Sequence, residues 1–210
     1  MILRSSPPSP FGRFTRIAAH VLGLHDQITV EFTDTNDAND TIRTQNPLGK
    51  IPALILGDDR AIYDSRVITE YLDSLAGGGK LIPASGDARY DVLTQAAMAT
   101  GILDAAILVL YEARFRPEDM QVDAWLDYQR GKISRALTAL GNQNLNYTNG
   151  AMPNMAEIII ACVLDYLDYR KQANWRDFCP NMEQWITDFA AAVPGYKDTL
   201  PEDIDPAPWR

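Results

Sequence analysis

The chain has 210 residues, of which 46% are hydrophobic and 22% charged, and it carries a formal charge of −9 at pH 7. These proportions are typical of a soluble globular protein with one large or two small domains. The acidic balance disfavours nucleic acid and anionic membrane as partners, because phosphate groups bind to basic surface. The two cysteines, Cys162 and Cys179, show neither metal-ligand spacing nor a disulfide framework, which fits a protein without a metal in the reducing cytoplasm.

Two further features concern targeting. No apolar run of signal-peptide length precedes Arg4 and the proline-rich segment that follows it. The longest apolar stretch, residues 98–110, is interrupted by Thr100, Gly101 and Asp104. Because a spanning helix needs about 20 predominantly apolar residues, we expect neither a secretion signal nor a membrane span.

The first 33 residues predict a strand, a helix and a second strand. Residues 1–3 are apolar and read as a strand, and prolines stiffen the loop over residues 4–10. Helical spacing then predicts a helix from Pro10 to Gly23. Its apolar positions are Phe11, Phe14, Ile17, Ala18, Val21 and Leu22. Alternation over residues 28–33 predicts a half-buried strand.

The next segment predicts two strands and a helix. Residues 34–46 are polar and irregular, with one weak helix. Residues 51–56 are apolar enough for a strand, and Gly57-Asp58-Asp59 is typical of a hairpin turn. A partner strand begins at Ala61, and a helix begins at Ser65.

The second half of the chain predicts helices only. The glycine-rich stretch over residues 77–87 is a linker by composition, which divides the chain into domains at 1–76 and 88–210. Long helices are predicted over 88–115 and 119–140. A helix that is apolar all round follows Asn154 and should form the core, and another follows Pro180. Asn154 and Glu157 have the spacing of a capping box.

The most informative stretch is Asn46 to Leu54, together with Tyr63-Asp64-Ser65. The Ile51–Pro52 bond can be cis, since the trans preference before proline is only about 0.5–1 kcal/mol. A cis bond would leave the N–H and C=O of Ile51 free to pair with a peptide-like ligand. Asp64 and Ser65 are good caps for a helix start, and a helix start attracts a carboxylate. These features together suit a small peptide that carries a carboxylate.

The string NPLGKIPAL, followed by a hairpin and DSRVITEYL, resembles the glutathione-binding half of the glutathione S-transferase superfamily. The resemblance implies an α/β thioredoxin-like N-terminal domain followed by an all-α C-terminal domain. It also implies roles in binding glutathione as a co-substrate. The backbone of Ile51, before Pro52, would pair with the cysteinyl part, Asp64 would meet the γ-glutamyl ammonium, Ser65 its carboxylate, and Lys50 the glycyl carboxylate. Gln45 is a weaker candidate for the same ligand.

The family's reaction needs a group that stabilises the glutathione thiolate. Ser9-Pro10-Phe11-Gly12-Arg13 resembles the serine version of the family's active-site loop, which makes Ser9 the catalytic candidate, with Ser5 and Ser6 as alternatives. Lowering a thiol pKa by ~2 units takes about 2.7 kcal/mol. A hydroxyl that donates to a charged sulfur contributes roughly 1.5–3 kcal/mol, and a helix N-terminus about 0.3–1 kcal/mol. One serine before the helix is therefore nearly sufficient.

The second substrate is expected between the two domains, on the long helix after the linker and on the C-terminal tail. At helical spacing the same residues are also typical of a core or a dimer interface. The candidates are Met98, Ile102, Tyr111, Phe115 and Trp209. Asp104 needs a partner in an apolar stretch and is expected to face the dimer cleft. Arg13 is expected at the surface or an interface, and His20 and His25 are interpreted as structural.

The resemblance implies a homodimer formed through the first two helices of the C-terminal domain. It favours a glutathione transferase acting on a small hydrophobic electrophile or a peroxide. Two alternatives remain open at this stage: a non-catalytic interaction module with the same fold, and a glutathione-dependent reductase or isomerase. The absence of tyrosine before Tyr63, and of cysteine from the first domain, disfavours a tyrosine mechanism and disulfide exchange through an enzyme thiol.

Overall fold

The computed structural model describes residues 1–143, 145, 147 and 150–201. The elements in chain order are β1 (Ile2–Ser5), α1 (Pro10–Val21), β2 (Thr29–Phe32), α2 (Ile42–Gln45), β3 (Ala53–Ile55), β4 (Ala61–Ile62), α3 (Ser65–Leu75), α4 (Asp87–Phe115), α5 (Asp123–Gly141), α6 (Met155–Arg170) and α7 (Met182–Ala192). Short 3₁₀ turns lie at His25–Gln27, Glu118–Met120 and Trp175–Asp177. The predicted order of strands and helices is confirmed.

The N-terminal part is a four-stranded sheet in the order β2-β1-β3-β4, in which β1 is parallel to β2 and the other neighbours are antiparallel. Alternation along the central strands separates its two faces. Leu3 and Leu54 pack in the main core with α1 and α3. Ala53 and Ile55 pack with Ile42 of α2 in a second, smaller cluster. The central strands of this small sheet are thus covered on both faces.

The expectation of a half-buried β2 is wrong. All four of its residues are exposed, including Val30 at 47% and Phe32 at 71%. The strand lies at the edge of the sheet and, among the described residues, pairs only with β1. Alternating side chains indicate a strand, but they do not show whether another element covers it.

The C-terminal part is a helical bundle in which α4 packs against both α5 and α6. Eleven of the 16 residues of α6 are buried, which confirms the predicted core helix. Its capping box is also confirmed: the N–H of Asn154 donates to Glu157 Oε2 at 2.8 Å, and the N–H of Glu157 donates to Asn154 Oδ1 at 3.1 Å. By length and composition alone α4 could also cross a membrane, contrary to the argument from its interruptions. In the fold, its buried apolar residues belong to the main core.

The glycine-rich linker is anchored by Asp73, near the end of α3. This carboxylate is 4% exposed and accepts backbone N–H groups from four linker residues at 3.0–3.4 Å. Leu81 and Ile82 are buried in the main core. The helix α4 begins at Asp87, within the range 77–87 predicted for the linker. The division into domains at 1–76 and 88–210 stays a prediction.

Candidate functional site

Three chain segments meet at one edge of the sheet, the one formed by the ends of its strands. The pairing of Arg4 with Ala53 and of Leu54 with Ile62 puts the carboxyl ends of β1 and β4 beside the amino end of β3. The loop before α1, the Ile51–Pro52 peptide and the start of α3 therefore share this edge, because α1 follows β1 and α3 follows β4. The residues predicted to bind glutathione are brought together here from separate parts of the sequence.

Ser9 is the N-cap of α1. Its Oγ accepts the N–H of Gly12 at 3.1 Å, and Pro10 occupies the first turn. The side chain is half-buried, and its hydroxyl proton is donated to no described residue. The first turn of α1 has no acidic residue, so nothing there opposes an anion at the helix start. Ser9 can thus cap the helix and still donate a hydrogen bond.

The two alternative serines have different surroundings. Ser5 is 1% exposed, and its Oγ has no hydrogen-bond partner among the described residues. It lies against Gly12, where an added Cβ would be 2.0 Å from Ser5 Oγ. Ser6 is half-buried, and its carbonyl accepts the N–H of Ser9 at 3.1 Å. Ser9 and Ser6 are thus both half-buried, whereas Ser5 is enclosed, and the assignment of the thiolate partner stays a prediction.

The peptide bond between Ile51 and Pro52 is cis, as the sequence allowed. Pro52 is buried and Ile51 is half-buried. Neither the N–H nor the C=O of Ile51 bonds to a described residue. The geometry therefore offers one donor and one acceptor, side by side, to an extended peptide.

The start of α3 is built by Asp64, which caps the helix. Its Oδ1 accepts the N–H of Arg66 at 2.8 Å and lies 3.4 Å from the Oγ of Ser65. Asp64 is exposed, whereas Ser65 is only 4% exposed. Contacts from Ser65 to a ligand would therefore come mainly from its backbone N–H at the helix start.

A carboxylate of α4, that of Asp104, lies near the charged groups at this end of the sheet. Asp104 is exposed, and partial desolvation raises the pKa of its carboxyl, while Arg66 and Lys50 lower it and Asp64 raises it further. The side chain of Lys50 is exposed. Asp104 thus faces charged groups of its own chain. The sequence reasoning did not single out Arg66, although it directly follows Asp64-Ser65.

Gln45, the weaker candidate for glutathione binding, forms a hydrogen bond with Arg4. Its Oε1 accepts from Arg4 Nη1 at 2.9 Å. Arg4 is 7% exposed and also donates to Asp40 and to Thr33. This cluster ties β1 to the segment before α2, which gives Gln45 a structural role.

The candidates for the second substrate divide into two groups. Ile102 is buried in the core and Met98 packs half-buried against it. Tyr111 and Phe115 are 38% and 63% exposed and stack edge to face with ring centroids 5.2 Å apart. Trp209 lies outside the described residues.

A small cleft opens beside Ser9, between the loop before α1 and α6. Pro7 and Pro8 line one side, and Tyr166 and Tyr169 line the other. The sequence reasoning missed these two tyrosines. The available signal was weak: the apolar run of α6 gives way to tyrosines three residues apart at its last turn.

Arg13 lies beneath this cleft, and the expectation of a surface or interface position is wrong. It is 3% exposed and its Nη1 lies 2.5 Å from Asp165 Oδ2. It also donates to the carbonyl of Tyr196 at 3.3 Å. Since its partner is 152 residues away in the chain, local sequence gave no sign of this pairing.

The cysteines and histidines are not part of the proposed glutathione site. Cys162 and Cys179 are free and buried, and burial raises the pKa of each thiol to about 12. Neither is a thiolate at neutral pH. The rings of His20 and His25 stack with centroids 4.2 Å apart, at the far end of α1 from Ser9.

Comparison with known proteins agrees with this architecture. The profile of the glutathione S-transferase N-terminal domain matches residues 8–75, and that of the C-terminal domain matches residues 119–188. The uncharacterized GST-like protein YibF of Escherichia coli (strain K12) is 32% identical over 176 residues, which cover 82% of this chain and 85% of that protein.

Two crystal structures are also similar. A glutathione transferase family member from Pseudomonas fluorescens Pf-5, with bound glutathione, is 36% identical with a TM-score of 0.87, over 95% of this chain and 98% of that one. A glutathione S-transferase from Methylobacillus flagellatus KT, with glutathione bound, is 34% identical with a TM-score of 0.84, over the same shares. The matched profiles, the identities and the thioredoxin-like and helical parts together show that this chain belongs to the glutathione S-transferase superfamily.

Proposed function

We propose that this protein is a glutathione transferase in which Ser9 stabilises the glutathione thiolate for attack on a small hydrophobic electrophile or a peroxide. The observation that carries the proposal is the geometry of Ser9. Its oxygen is held by the N–H of Gly12 at the start of α1, and its proton is donated to no described residue. A thiolate placed at this helix start would accept that proton.

The binding of glutathione is assigned to the shared edge of the sheet. The free backbone groups of Ile51, beside the cis bond to Pro52, pair with the cysteinyl residue. Asp64 meets the γ-glutamyl ammonium, and the N–H groups at the start of α3, with Ser65, meet its carboxylate. Lys50 meets the glycyl carboxylate. The two similar structures with bound glutathione support glutathione as the ligand.

The chemical step is an attack by the glutathione sulfur on an electrophilic centre. Only the thiolate is an effective nucleophile. The Ser9 hydrogen bond contributes roughly 1.5–3 kcal/mol to its stability, and the start of α1 about 0.3–1 kcal/mol. The thiol proton leaves to solvent, and Ser9 keeps its own proton in the hydrogen bond. The attack places the new bond beside the small cleft lined by Tyr166 and Tyr169.

We extend the proposal to a cytoplasmic homodimer. Exposed apolar side chains support a partner surface along the loop before β3, on α3 and on α4: Leu48 at 68%, Val67 at 50% and Tyr90 at 67%. A cytoplasmic location suits the proposal because thiols stay reduced there. Sedimentation equilibrium should give the mass of two chains; the mass of one chain would contradict the dimer.

The test is glutathione binding by calorimetry near pH 7, with the ultraviolet thiolate band of the bound ligand as a second readout. The native protein should bind and show the band, and Ser9→Ala should bind without it. A band retained in Ser9→Ala and lost in Ser6→Ala would move the role to Ser6. No binding by the native protein, even at millimolar glutathione, would overturn the enzyme and favour an interaction module.

A further inference from the structure

Two arginines lie over tyrosine rings of α4 and α6, and two of these tyrosines, Tyr166 and Tyr169, line the cleft beside Ser9. The guanidinium carbon of Arg170, the last residue of α6, lies 4.6 Å from the ring centroid of Tyr169 and 5.6 Å from that of Tyr166. The guanidinium carbon of Arg114, on α4, lies 5.9 Å from the ring centroid of Tyr111. The helices α4 and α6 pack side by side, so these residues come from two adjacent elements.

Arg170 and Arg114 both influence the pKa of one hydroxyl, that of Tyr166. Burial raises the pKa of Tyr166, while Arg170 and Arg114 lower it and Tyr111 raises it further. The Tyr166 hydroxyl is therefore a neutral donor near pH 7. Both guanidinium groups are close enough to influence this hydroxyl, and Tyr166 itself lines the cleft together with Tyr169.

Neither of these arginines forms an ion pair within the part of the chain that the structure describes. The Nε of Arg170 is also buried without a hydrogen-bond partner there. The neighbouring arginines differ: Arg13 pairs with Asp165, Arg176 with Asp168 and Arg116 with Glu112.

Asp165, the carboxylate that lines the cleft, pairs with other groups than Arg170 and Arg114. Asp165 Oδ2 accepts from Arg13 Nη1 at 2.5 Å and from the Tyr196 hydroxyl at 2.7 Å. The formal charge of the whole chain is −9. Within the described residues, Arg170 and Arg114 are therefore available to pair with an anionic ligand.

We propose that the second substrate of this transferase carries a carboxylate, which Arg170 and Arg114 hold while its electrophilic carbon faces the thiolate at Ser9. This inference rests on the proposed function. Guanidinium groups match carboxylates with charge-assisted hydrogen bonds. The tyrosine rings, with Pro7 and Pro8 opposite, provide an apolar surface for the body of the molecule. The substrate class is a small aromatic or apolar acid with an activated carbon.

The test compares two electrophiles that differ only in charge, para-chloro-meta-nitrobenzoate and para-chloro-meta-nitrobenzamide. In both, the thiolate sulfur forms a bond to the carbon that bears chlorine, the carbon–chlorine bond breaks, and chloride leaves with the electron pair. Rates are divided by the uncatalysed rate with glutathione. We expect kcat/KM of the native protein to favour the benzoate by roughly ten-fold or more, the effect of one charge-assisted hydrogen bond.

The variants are Arg170→Gln and Arg114→Gln, which keep a polar planar group and remove the charge. Each should lower the preference for the benzoate over the benzamide roughly ten-fold, mainly through KM for the benzoate. Arg135→Gln is the matched control, because Arg135 is exposed on α5 and also has no described ion pair. An equal preference in all four proteins would overturn the carboxylate assignment.

A binding measurement separates this inference from the proposed function. The two conjugates of glutathione, with the carboxylate and with the amide, are titrated into the native protein and the variants by calorimetry. Tighter binding of the carboxylate conjugate, lost in Arg170→Gln and Arg114→Gln, supports the anion site even without turnover. Equal binding of the two conjugates overturns it while the glutathione site stands. Failure of glutathione and both conjugates to bind overturns both proposals.

Discussion

Arg13 of α1 and Asp165 of α6 form a buried ion pair, with Nη1 and Oδ2 2.5 Å apart, at the junction of the sheet part and the helical part. Tyr196 donates its hydroxyl to the same carboxylate at 2.7 Å, and its ring lies 4.8 Å from the Arg13 guanidinium. Since Ser9 caps the same helix one turn earlier, this pair fixes the helix that presents the proposed thiolate donor.

Removal of the carboxylate should be costly. Asp165→Ala leaves the guanidinium of Arg13, which is 3% exposed, without its charged partner, and we expect the free energy of unfolding to fall by roughly 3–5 kcal/mol. Urea denaturation measures this loss in the free energy of unfolding. Asp127→Ala is the control, because its partner Arg130 lies 3.4 Å away on an exposed helix face and should contribute at most about 1 kcal/mol. Similar losses in both variants would contradict a buried, structural pair.

The two roles of Ser9 can be separated by substitution. Ser9→Ala removes both the cap and the donor and should cost about 1 kcal/mol of stability. Ser9→Asp keeps an acceptor for the N–H of Gly12 and should stay close to native stability. As a carboxylate it cannot donate, so the ultraviolet thiolate band of bound glutathione should be lost in both variants. A band that persists in Ser9→Asp would show that another group stabilises the thiolate.

The close contact between β1 and α1 depends on Gly12. A Cβ there would lie 2.0 Å from Ser5 Oγ and 3.2 Å from Ser5 Cβ. We expect Gly12→Ala to lower the free energy of unfolding by about 1–3 kcal/mol, since the buried serine must move. In Gly131→Ala, on α5, the new Cβ meets only the guanidinium end of Arg135 at 3.0 Å. That variant should gain about 0.5–1 kcal/mol; a loss there, or no loss in Gly12→Ala, would count against this account.

The stability of the protein should depend on the titration of His20. Burial lowers the pKa of this side chain, His25 and Arg16 lower it further, and Asp198 and Asp26 raise it. Its folded pKa lies below its unfolded value of 6.5, so the unfolded chain binds more protons between the two values. Stability therefore falls as the pH drops through about 6.5 towards the folded pKa.

Replacement of His20 removes this contribution. Denaturation of the native protein and of His20→Gln, at about pH 7.5 and about pH 5.5, brackets the usual range of histidine titration. The loss of stability between the two pH values should be smaller in His20→Gln than in the native protein. An equal loss in both would assign the pH dependence to other groups.

Local sequence determined the parts of this protein that depend on neighbours along the chain. The cap of α1 at Ser9, the cap of α3 at Asp64 and the capping box of Asn154 with Glu157 are contacts within three residues. The apolar spacing of α6 predicted the core helix in the same way. Each of these follows from residue type and spacing, because the interacting groups are a helix turn apart.

Only the tertiary structure decided which distant groups meet. The pairing of Arg13 with Asp165, the facing of Asp104 towards Lys50 and Arg66, and the exposure of β2 at the sheet edge depend on how helices and strands pack. Spacing along one element shows which side chains share a face, but not which other element covers that face. The family resemblance therefore pointed to the glutathione edge of the sheet, whereas the arginine and tyrosine cluster of α4 and α6 became visible only once these helices were packed together.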